Sequence, residues 1–104
     1  MKILAKPIAF EWDKGNINKN LTKHNVTDKE AEEVFGNKPL KIFEDIKHSE
    51  EEQRFVAYGK TDSKRSLVIV FTLRKEKIRV ISARNQSKKE RREYEKQIKT
   101  NTKV

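Results

Sequence analysis

The chain of 104 residues has no cysteine, three glycines, two prolines and two histidines. The lack of cysteine excludes disulfide scaffolds, thiolate zinc sites and cysteine nucleophiles. No glycine stands in a GxGxxG or GxxxxGK spacing, which excludes a glycine-rich phosphate loop. No apolar stretch approaches the ~18–20 residues of a membrane span, and the first ten residues lack the apolar core of a signal peptide. We therefore expect one cytoplasmic domain over residues 1–104, with no membrane partner.

Positive charge is the first functional clue. Charged residues make up 39% of the chain, and the formal net charge is +9. Such an excess favours a nucleic acid or an anionic membrane surface as partner. The alternative is a basic surface that is only solvated. The apolar run at 67–71, Leu-Val-Ile-Val-Phe, indicates a folded domain rather than a disordered chain.

Two helices are expected in the first third of the chain, after a short strand over 8–12. Asp13 is a candidate N-cap for a helix that ends at Asn25, with Ile17, Leu21 and His24 on one apolar face. A capping box at 27–30 predicts a second helix. Its apolar face consists of Ala31, Val34 and Phe35.

Strand signals dominate the second half. We expect strands over 40–43, 55–58, 66–73 and 78–84, and the turns between them predict an antiparallel meander. The strand over 66–73 lacks alternation, so it should lie inside the sheet and be covered on both faces. A capping box at 87–90 predicts a last helix to about Ile98, with Tyr94 and Ile98 as its apolar stripe. The predicted class is α+β, with helices on one face of an antiparallel sheet.

Arginines near strand ends are the strongest chemical candidates. Arg54 begins one predicted strand, Arg74 follows the next, and Arg79 and Arg84 lie on the last. Guanidinium groups bind phosphate in a bidentate way, and several together stabilise the extra charge of a phosphoryl transition state. Regular alternation puts Arg79 and Arg84 on opposite faces, so we do not expect all four to share one site. The alternative is that each arginine pairs with a local carboxylate.

The histidines and the tryptophan allow two interpretations each. His48 lies in an acidic loop, where a charged imidazole could act as an acid; no second histidine stands at metal-ligand spacing. His24 suits the end of a helix, whose dipole it complements. Trp12 could stack on a base or anchor the small core. From Arg84 onward there are eight lysines and arginines against three acidic residues, which suits phosphate, a protein partner or a solvated helix.

Several motifs together resemble the BrnT toxins. They are Phe10-Glu11-Trp12-Asp13, Asn20, Lys23-His24, Val26, Glu30-Ala31, Val34-Phe35, the run from His48 to Phe55, Gly59, the strand from Arg79 to Arg84, Lys89-Glu90-Arg91 and Tyr94. The resemblance covers about Phe10 to Glu95. Asn16 stands where the family usually has lysine, Asn25 where it commonly has glycine and Asp28 where an aromatic residue is usual.

The resemblance implies a RelE-like fold and a toxin of a type II toxin–antitoxin pair. Such a toxin cuts RNA and arrests translation, and an antitoxin with a ribbon-helix-helix DNA-binding part neutralises it. Operator DNA would then be bound only through the antitoxin complex. RelE-type enzymes use no metal, so no cofactor is expected. The ribose 2′-hydroxyl attacks its own phosphate, a geometry with a large proximity advantage.

Residue roles follow as expectations. Arg54, Arg74 and Arg84 would hold the scissile phosphate, and His48 or a neighbouring glutamate would take the proton of the 2′-hydroxyl. The remaining RNA contacts are expected from Trp12, Lys23, His24, Arg79, Lys88, Lys89, Arg91 and Arg92. The alternative is a non-catalytic nucleic-acid-binding or regulatory module with the same fold.

Overall fold

The chain is described by a computed structural model over residues 4, 7–48 and 51–102. Its elements are α1 (Lys19–His24), α2 (Asp28–Gly36), β1 (Lys41–Glu44), a 3-10 turn (Ile46–His48), β2 (Arg54–Lys60), β3 (Ser66–Arg74), β4 (Lys77–Asn85) and α3 (Lys88–Thr102). The four strands form one antiparallel sheet in chain order. This confirms the predicted α+β class, the meander and the C-terminal helix. None of the described helices has the length and apolarity needed to cross a membrane.

The segment before α1 differs from the expectation. Instead of a strand over 8–12, Phe10 makes a single parallel bridge to Ile78. Asp13 does not cap α1; its carbonyl accepts the amides of Asn16 and Ile17 in a turn. Asn18 then adopts a left-handed conformation, with φ of 57°. A residue in that conformation interrupts a right-handed helix, so α1 begins only at Lys19.

The buried face of α1 is polar, and the expected apolar face is not buried. Ile17 and Leu21 are 48% and 44% exposed. Asn20 Oδ1 accepts the amide of Ala83 at 2.9 Å, and Asn16 Nδ2 donates to the carbonyl of Val80 at 3.2 Å. Edge strands present unpaired backbone groups, which an amide side chain satisfies and an apolar one does not. The predicted end of α1 is confirmed, because Asn25 adopts φ of 55° there.

Helix α2 packs on one face of the sheet and forms the core with it. Its capping box is present, since Thr27 Oγ1 accepts the Glu30 amide and Glu30 Oε1 accepts the Thr27 amide, each at 3.0 Å. The predicted apolar residues of α2 are all buried. We call the sheet face beneath them the core face; it is built from Phe55, Ala57, Leu67, Ile69, Phe71, Ile78, Val80 and Ala83.

The opposite side of the sheet, the outer face, carries Arg54, Val56 and Tyr58 on β2 and the residues paired with them, Thr72, Val70 and Val68, on β3. Because β3 is an interior strand, it is buried on both faces along part of its length. Leu67 on the core face and Val68 on the outer face are both buried. The expectation of a strand covered on both sides is confirmed.

A β-bulge at Ile81 sets which side chains of β4 reach the outer face. Phe71 lies opposite Val80, whereas the preceding Val70 lies opposite Ser82, so Ile81 has no partner. The inserted residue reverses the alternation beyond it. Arg79 and Arg84 pair with Thr72 and Val68, and both therefore lie on the outer face. The prediction that they lie on opposite faces is wrong, because regular alternation does not allow for a bulge.

Helix α3 is held by its first turn and by one tyrosine. Ser87 Oγ accepts the Glu90 amide at 3.1 Å and Glu90 Oε1 accepts the Ser87 amide at 2.8 Å, which is the predicted capping box. Tyr94 is buried, and its hydroxyl donates to the carbonyl of Pro39. Between residues 88 and 99 the other side chains are exposed, apart from partly covered Glu90 and Ile98. The helix is therefore lightly packed. Its first turn lies at the outer face, where Arg84 bonds Glu90, so the expectation that the helices share one face of the sheet is wrong for α3.

Candidate functional site

Three arginines gather at one end of the outer face. Arg54 and Arg79 lie opposite Thr72 from its two sides, and Arg74 stands two residues further along β3 on the same face. We call Arg54, Arg74 and Arg79 the arginine cluster. The hairpin that pairs Arg74 with Lys77 sets the register that places Arg79 opposite Thr72, ahead of the bulge. Residues predicted from the sequence as separate candidates are thus neighbours on one surface.

Three carboxylates lie between these arginines. Arg74 Nε donates to Glu52 Oε2 at 2.9 Å, and Arg74 Nη1 is 3.7 Å from Glu11 Oε1. Arg79 donates through Nη1 to Glu11 at 3.1 Å, and through both terminal nitrogens to Asp13 at 2.8 and 2.9 Å. The side chain of Arg79 is 14% exposed and that of Arg74 is 47% exposed. Arg79 therefore fastens the N-terminal segment to β4, while Arg74 faces solvent.

The arginines lower the pKa of two of these carboxyl groups. The hydrogen bond from Arg74 lowers the pKa of Glu52 below its ordinary value of 4.5. The bond from Arg79 does the same for the pKa of Asp13, whose ordinary value is 3.8. At neutral pH the cluster thus holds guanidinium donors beside carboxylate acceptors. Cleavage of a phosphodiester by proton transfer requires both groups: a guanidinium that donates to the phosphate and a carboxylate that accepts the proton.

Gly15 leaves the space that Arg79 occupies. A Cβ on Gly15 would stand 2.7 Å from Arg79 Nη2, and the Gly15 amide donates to Asp13 Oδ1 at 2.8 Å. No site role is predicted from the sequence for Glu11, Asp13 or Gly15, whereas Glu52 is one of the glutamates near His48 that were expected as alternative proton acceptors. Glu11 and Asp13 belong to the Phe10–Asp13 motif, and Glu52 stands two residues before Arg54. Membership of these motifs is the sequence signal that points to them as site residues.

Arg84 lies apart from the cluster. Its pairing partner Val68 is four residues along β3 from Thr72, which corresponds to about 13 Å along the strand. Arg84 Nη1 and Nη2 donate to the two carboxylate oxygens of Glu90, each at 2.8 Å. This bond lowers the pKa of Glu90 to about 2. The structure brings Arg54 and Arg74 together but does not add Arg84 to them, and the alternative of a local ion pair fits Arg84.

The remaining sequence-predicted residues are scattered. The backbone of His48 ends the 3-10 turn after β1, and its side chain lies outside the described residues. Trp12 packs against the core, and its Nε1 donates to Glu32 at 2.7 Å. Lys23 and His24 are exposed at the end of α1. Exposed cations also mark the first turns of α3; they are Lys88, Lys89, Arg91 and Arg92.

A cleft of about 770 Å³ lies on the outer face between β1, β2 and α3. Its lining residues are Lys41, Phe43, Glu44, Asp45, Val56, Tyr58, Arg84, Ser87, Lys89, Glu90, Glu93, Tyr94 and Gln97. Burial raises the pKa of Tyr58 and of Tyr94, so both phenols stay protonated at neutral pH. In the part of the chain that the structure describes, no group of three His, Cys, Asp or Glu side chains is placed to hold a metal ion.

Comparison with known proteins identifies one family. Residues 12–90 match the family model described as ribonuclease toxin, BrnT, of type II toxin-antitoxin system. The matched stretch runs from Trp12 through the whole sheet to Glu90 in the first turn of α3. No curated protein matches the chain. The family match confirms the resemblance that the motifs indicated.

Proposed function

The chain belongs to the BrnT family of ribonuclease toxins of type II toxin–antitoxin systems, and from this premise we propose how it cleaves RNA. It is an endoribonuclease that needs no metal ion, and the scissile phosphate binds at the arginine cluster. The observation that supports this is the contact between solvent-facing Arg74 and Glu52 at 2.9 Å, with Arg54 on the adjacent strand. This contact supplies an anion donor and a proton acceptor side by side.

Arg54 and Arg74 bind the non-bridging oxygens of the phosphate. Arg74 exchanges part of its bond with Glu52 for the phosphate, which is feasible because both side chains are accessible to solvent. The charge on these oxygens grows as the phosphorus becomes five-coordinate, so the two guanidinium groups bind the transition state more tightly than the substrate.

Glu52 removes the proton of the 2′-hydroxyl. Its carboxylate is ionised at neutral pH, and the bond from Arg74 that lowers its pKa is partly released when Arg74 turns to the phosphate. The 2′-oxygen forms a bond to phosphorus while the bond from phosphorus to the 5′-oxygen breaks, which leaves a 2′,3′-cyclic phosphate. The departing 5′-oxygen takes a proton, and with Glu52 as the base we assign this donation to His48, four residues before Glu52 in the chain, which the sequence had offered as the acceptor of the 2′-hydroxyl proton.

Arg79 and Arg84 have positioning and structural roles in this proposal. Arg79 uses its donors on Glu11 and Asp13, and so holds the segment that borders the site. Arg84 anchors the first turn of α3 through Glu90. The exposed cations of α3, together with Lys23, His24 and Trp12, remain the predicted contacts with the rest of the RNA.

The cellular role follows from the family. A toxin of a type II pair has an antitoxin partner, and we propose one with a ribbon-helix-helix part that binds operator DNA for the complex. Cleavage of cellular RNA would arrest translation until the antitoxin is present. The net charge of +9 suits both RNA and an acidic segment of the antitoxin.

The test is cleavage of RNA by the purified protein in EDTA, with the ends of the products identified. Fragments with 2′,3′-cyclic phosphate and 5′-hydroxyl ends are expected, together with growth arrest when the chain is expressed without the neighbouring gene. RNA that is bound but stays intact would support the non-catalytic alternative. Cleavage that stops in EDTA and returns with a divalent cation would refute metal independence.

A further inference from the structure

An aromatic side chain on the outer face is left half open to solvent. Phe43 is 45% exposed at the mouth of the cleft, on edge strand β1. Its ring and that of Tyr58 meet in a T-shaped arrangement, with ring centroids 5.9 Å apart and an interplanar angle of 74°. Tyr58 thereby fixes the ring of Phe43 from one side. The rest of the ring is available to another flat, apolar group.

This ring lies next to the proposed phosphate site. Phe43 pairs with Val56 across the ladder, and Arg54 precedes Val56 by two residues on the same face. Phe43 and Arg54 are therefore diagonal neighbours, for which Cα atoms lie about 7–8 Å apart. One nucleotide bridges that separation, with its phosphate at Arg54 and its base at Phe43.

The cleft behind Phe43 has the size and chemistry of a small-molecule site. Its volume of about 770 Å³ falls within the range of roughly 300–1,000 Å³ that ligand pockets occupy. Lys41 and Lys89 stand on its two walls, and Glu93 and Gln97 line it from α3. The lysines attract the RNA backbone, and the carboxylate and amide supply hydrogen-bonding groups for the edge of a base. Single-stranded RNA is recognised in this way, by stacking on aromatic rings and by contacts to exposed base edges.

We propose that the cleft is a nucleobase-binding subsite in which Phe43 stacks on the base adjoining the scissile phosphate. The enzyme then cleaves with a sequence preference set in the cleft and not in the arginine cluster. This inference rests on the proposed function, because it places the base relative to a phosphate held by Arg54. It concerns binding, however, and is testable without any cleavage.

The binding test uses short 2′-O-methyl oligoribonucleotides, which lack the attacking hydroxyl, and follows their fluorescence anisotropy. Phe43→Ala should weaken binding roughly 5- to 150-fold, the effect of losing one stacked base. Phe43→Tyr should restore it, because an aromatic ring is retained. The matched control is Ile46→Ala, which removes a side chain that is 80% exposed just after β1 and should leave binding unchanged. Melting temperatures of all variants establish that they are folded.

The second readout is the pattern of cleavage sites on a mixed-sequence RNA. Phe43→Ala should flatten the base preference beside the cut, and Phe43→Tyr should keep it. Unchanged binding and an unchanged pattern in folded Phe43→Ala would overturn the subsite while cleavage by the wild type still supports the proposed function. Wild-type protein that binds in a Phe43-dependent manner but never cuts would overturn the function and not the subsite. Loss of antitoxin binding alone in Phe43→Ala would assign the cleft to the antitoxin and refute the proposal.

Discussion

The outer-face arginines differ in how much of their hydrogen-bonding capacity is already used. Arg79 is bound by two carboxylates and mostly covered. Arg84 gives both of its terminal nitrogens to a single carboxylate. Arg74 donates to Glu52 through Nε at 2.9 Å and through Nη2 at 3.4 Å, and its Nη1 is 3.7 Å from Glu11. A phosphate therefore displaces the longest contacts at Arg74, and residue type alone does not distinguish the three.

Glu52 is the residue whose chemistry is tested most simply. Glu52→Gln keeps an oxygen for the bond to Arg74 but cannot take a proton, so the cleavage rate should fall by roughly 10²–10⁴. In the wild type, the lowered pKa of Glu52 predicts that the cleavage rate declines at a lower pH than an ordinary glutamate would give. Single-turnover rates across pH provide the measurement. Glu51→Gln, at the exposed neighbouring position, is the control, and equal rates for both variants would exclude Glu52 as the base.

Glu90 should make stability depend on pH. Its pKa is about 2 in the folded chain and 4.5 ordinarily, so its ion pair stabilises the fold above pH 4.5 and loses that effect as the pH falls towards 2. Because the pair is partly exposed, we expect about 1 kcal/mol at neutral pH. Thermal unfolding of wild type and Glu90→Gln should therefore differ at pH 7 and converge near pH 2. A constant difference across that range would show that the carboxylate charge contributes nothing.

At the scale of elements, local signals predicted helices and strands well and failed where tertiary contacts decide. The capping boxes at Thr27 and Ser87 are made by residues three apart, so the sequence contains all that they need. The bulge at Ile81 depends on pairing with β3, and no local signal marks it. It nevertheless decides the face of Arg84, because it moves Arg84 from the core face to the outer face, whereas the hairpin before it places Arg79.

The edge of β4 also depends on a tertiary contact, the hydrogen bond from the amide of Ala83 to the side chain of Asn20. A substitution at Asn20 tests this contact. Asn20→Ala leaves the amide of Ala83 without its partner, so the free energy of unfolding should fall by roughly 1–3 kcal/mol. Urea denaturation gives the value. Thr22→Ala, at an exposed position of the same helix, should change it by under about 0.5 kcal/mol. Equal stabilities of the two variants would mean that water replaces Asn20 at the edge.

The basic side chains in the first turns of α3 should contribute charge rather than sequence recognition. If Lys88, Lys89, Arg91 and Arg92 contact phosphates, changing them to Gln should reduce RNA affinity and flatten its salt dependence. The log–log slope should fall by roughly 0.7 for each lost contact with a single strand. Lys14→Gln with Lys29→Gln, at exposed positions near α1 and α2, is the control pair. An unchanged slope in the α3 variant would show that these cations do not contact RNA and that they face the antitoxin or solvent.

In the whole molecule, the two faces of the sheet have different roles. The core face and α2 bury the apolar side chains, whereas the outer face carries the arginine cluster, the cleft and the first turn of α3. The fold class, the family and the arginines as candidates were predictable from composition, periodicity and motifs. The grouping of those arginines was not, because it depends on strand register. Nor was Glu52 as the partner of Arg74, since choosing one carboxylate among many requires coordinates.

The most direct test of the account compares Arg74→Ala with Arg84→Ala, measuring the cleavage rate in EDTA and the melting temperature on the same preparations. Removing a donor to the transition state should lower the rate of Arg74→Ala by roughly 10²–10³, with little change in melting temperature because its ion pair is exposed. Arg84→Ala should melt at a lower temperature and, when folded, cut at a rate close to wild type. The reverse pattern, with Arg84→Ala inactive at normal stability and Arg74→Ala fully active, would contradict a phosphate site at the arginine cluster.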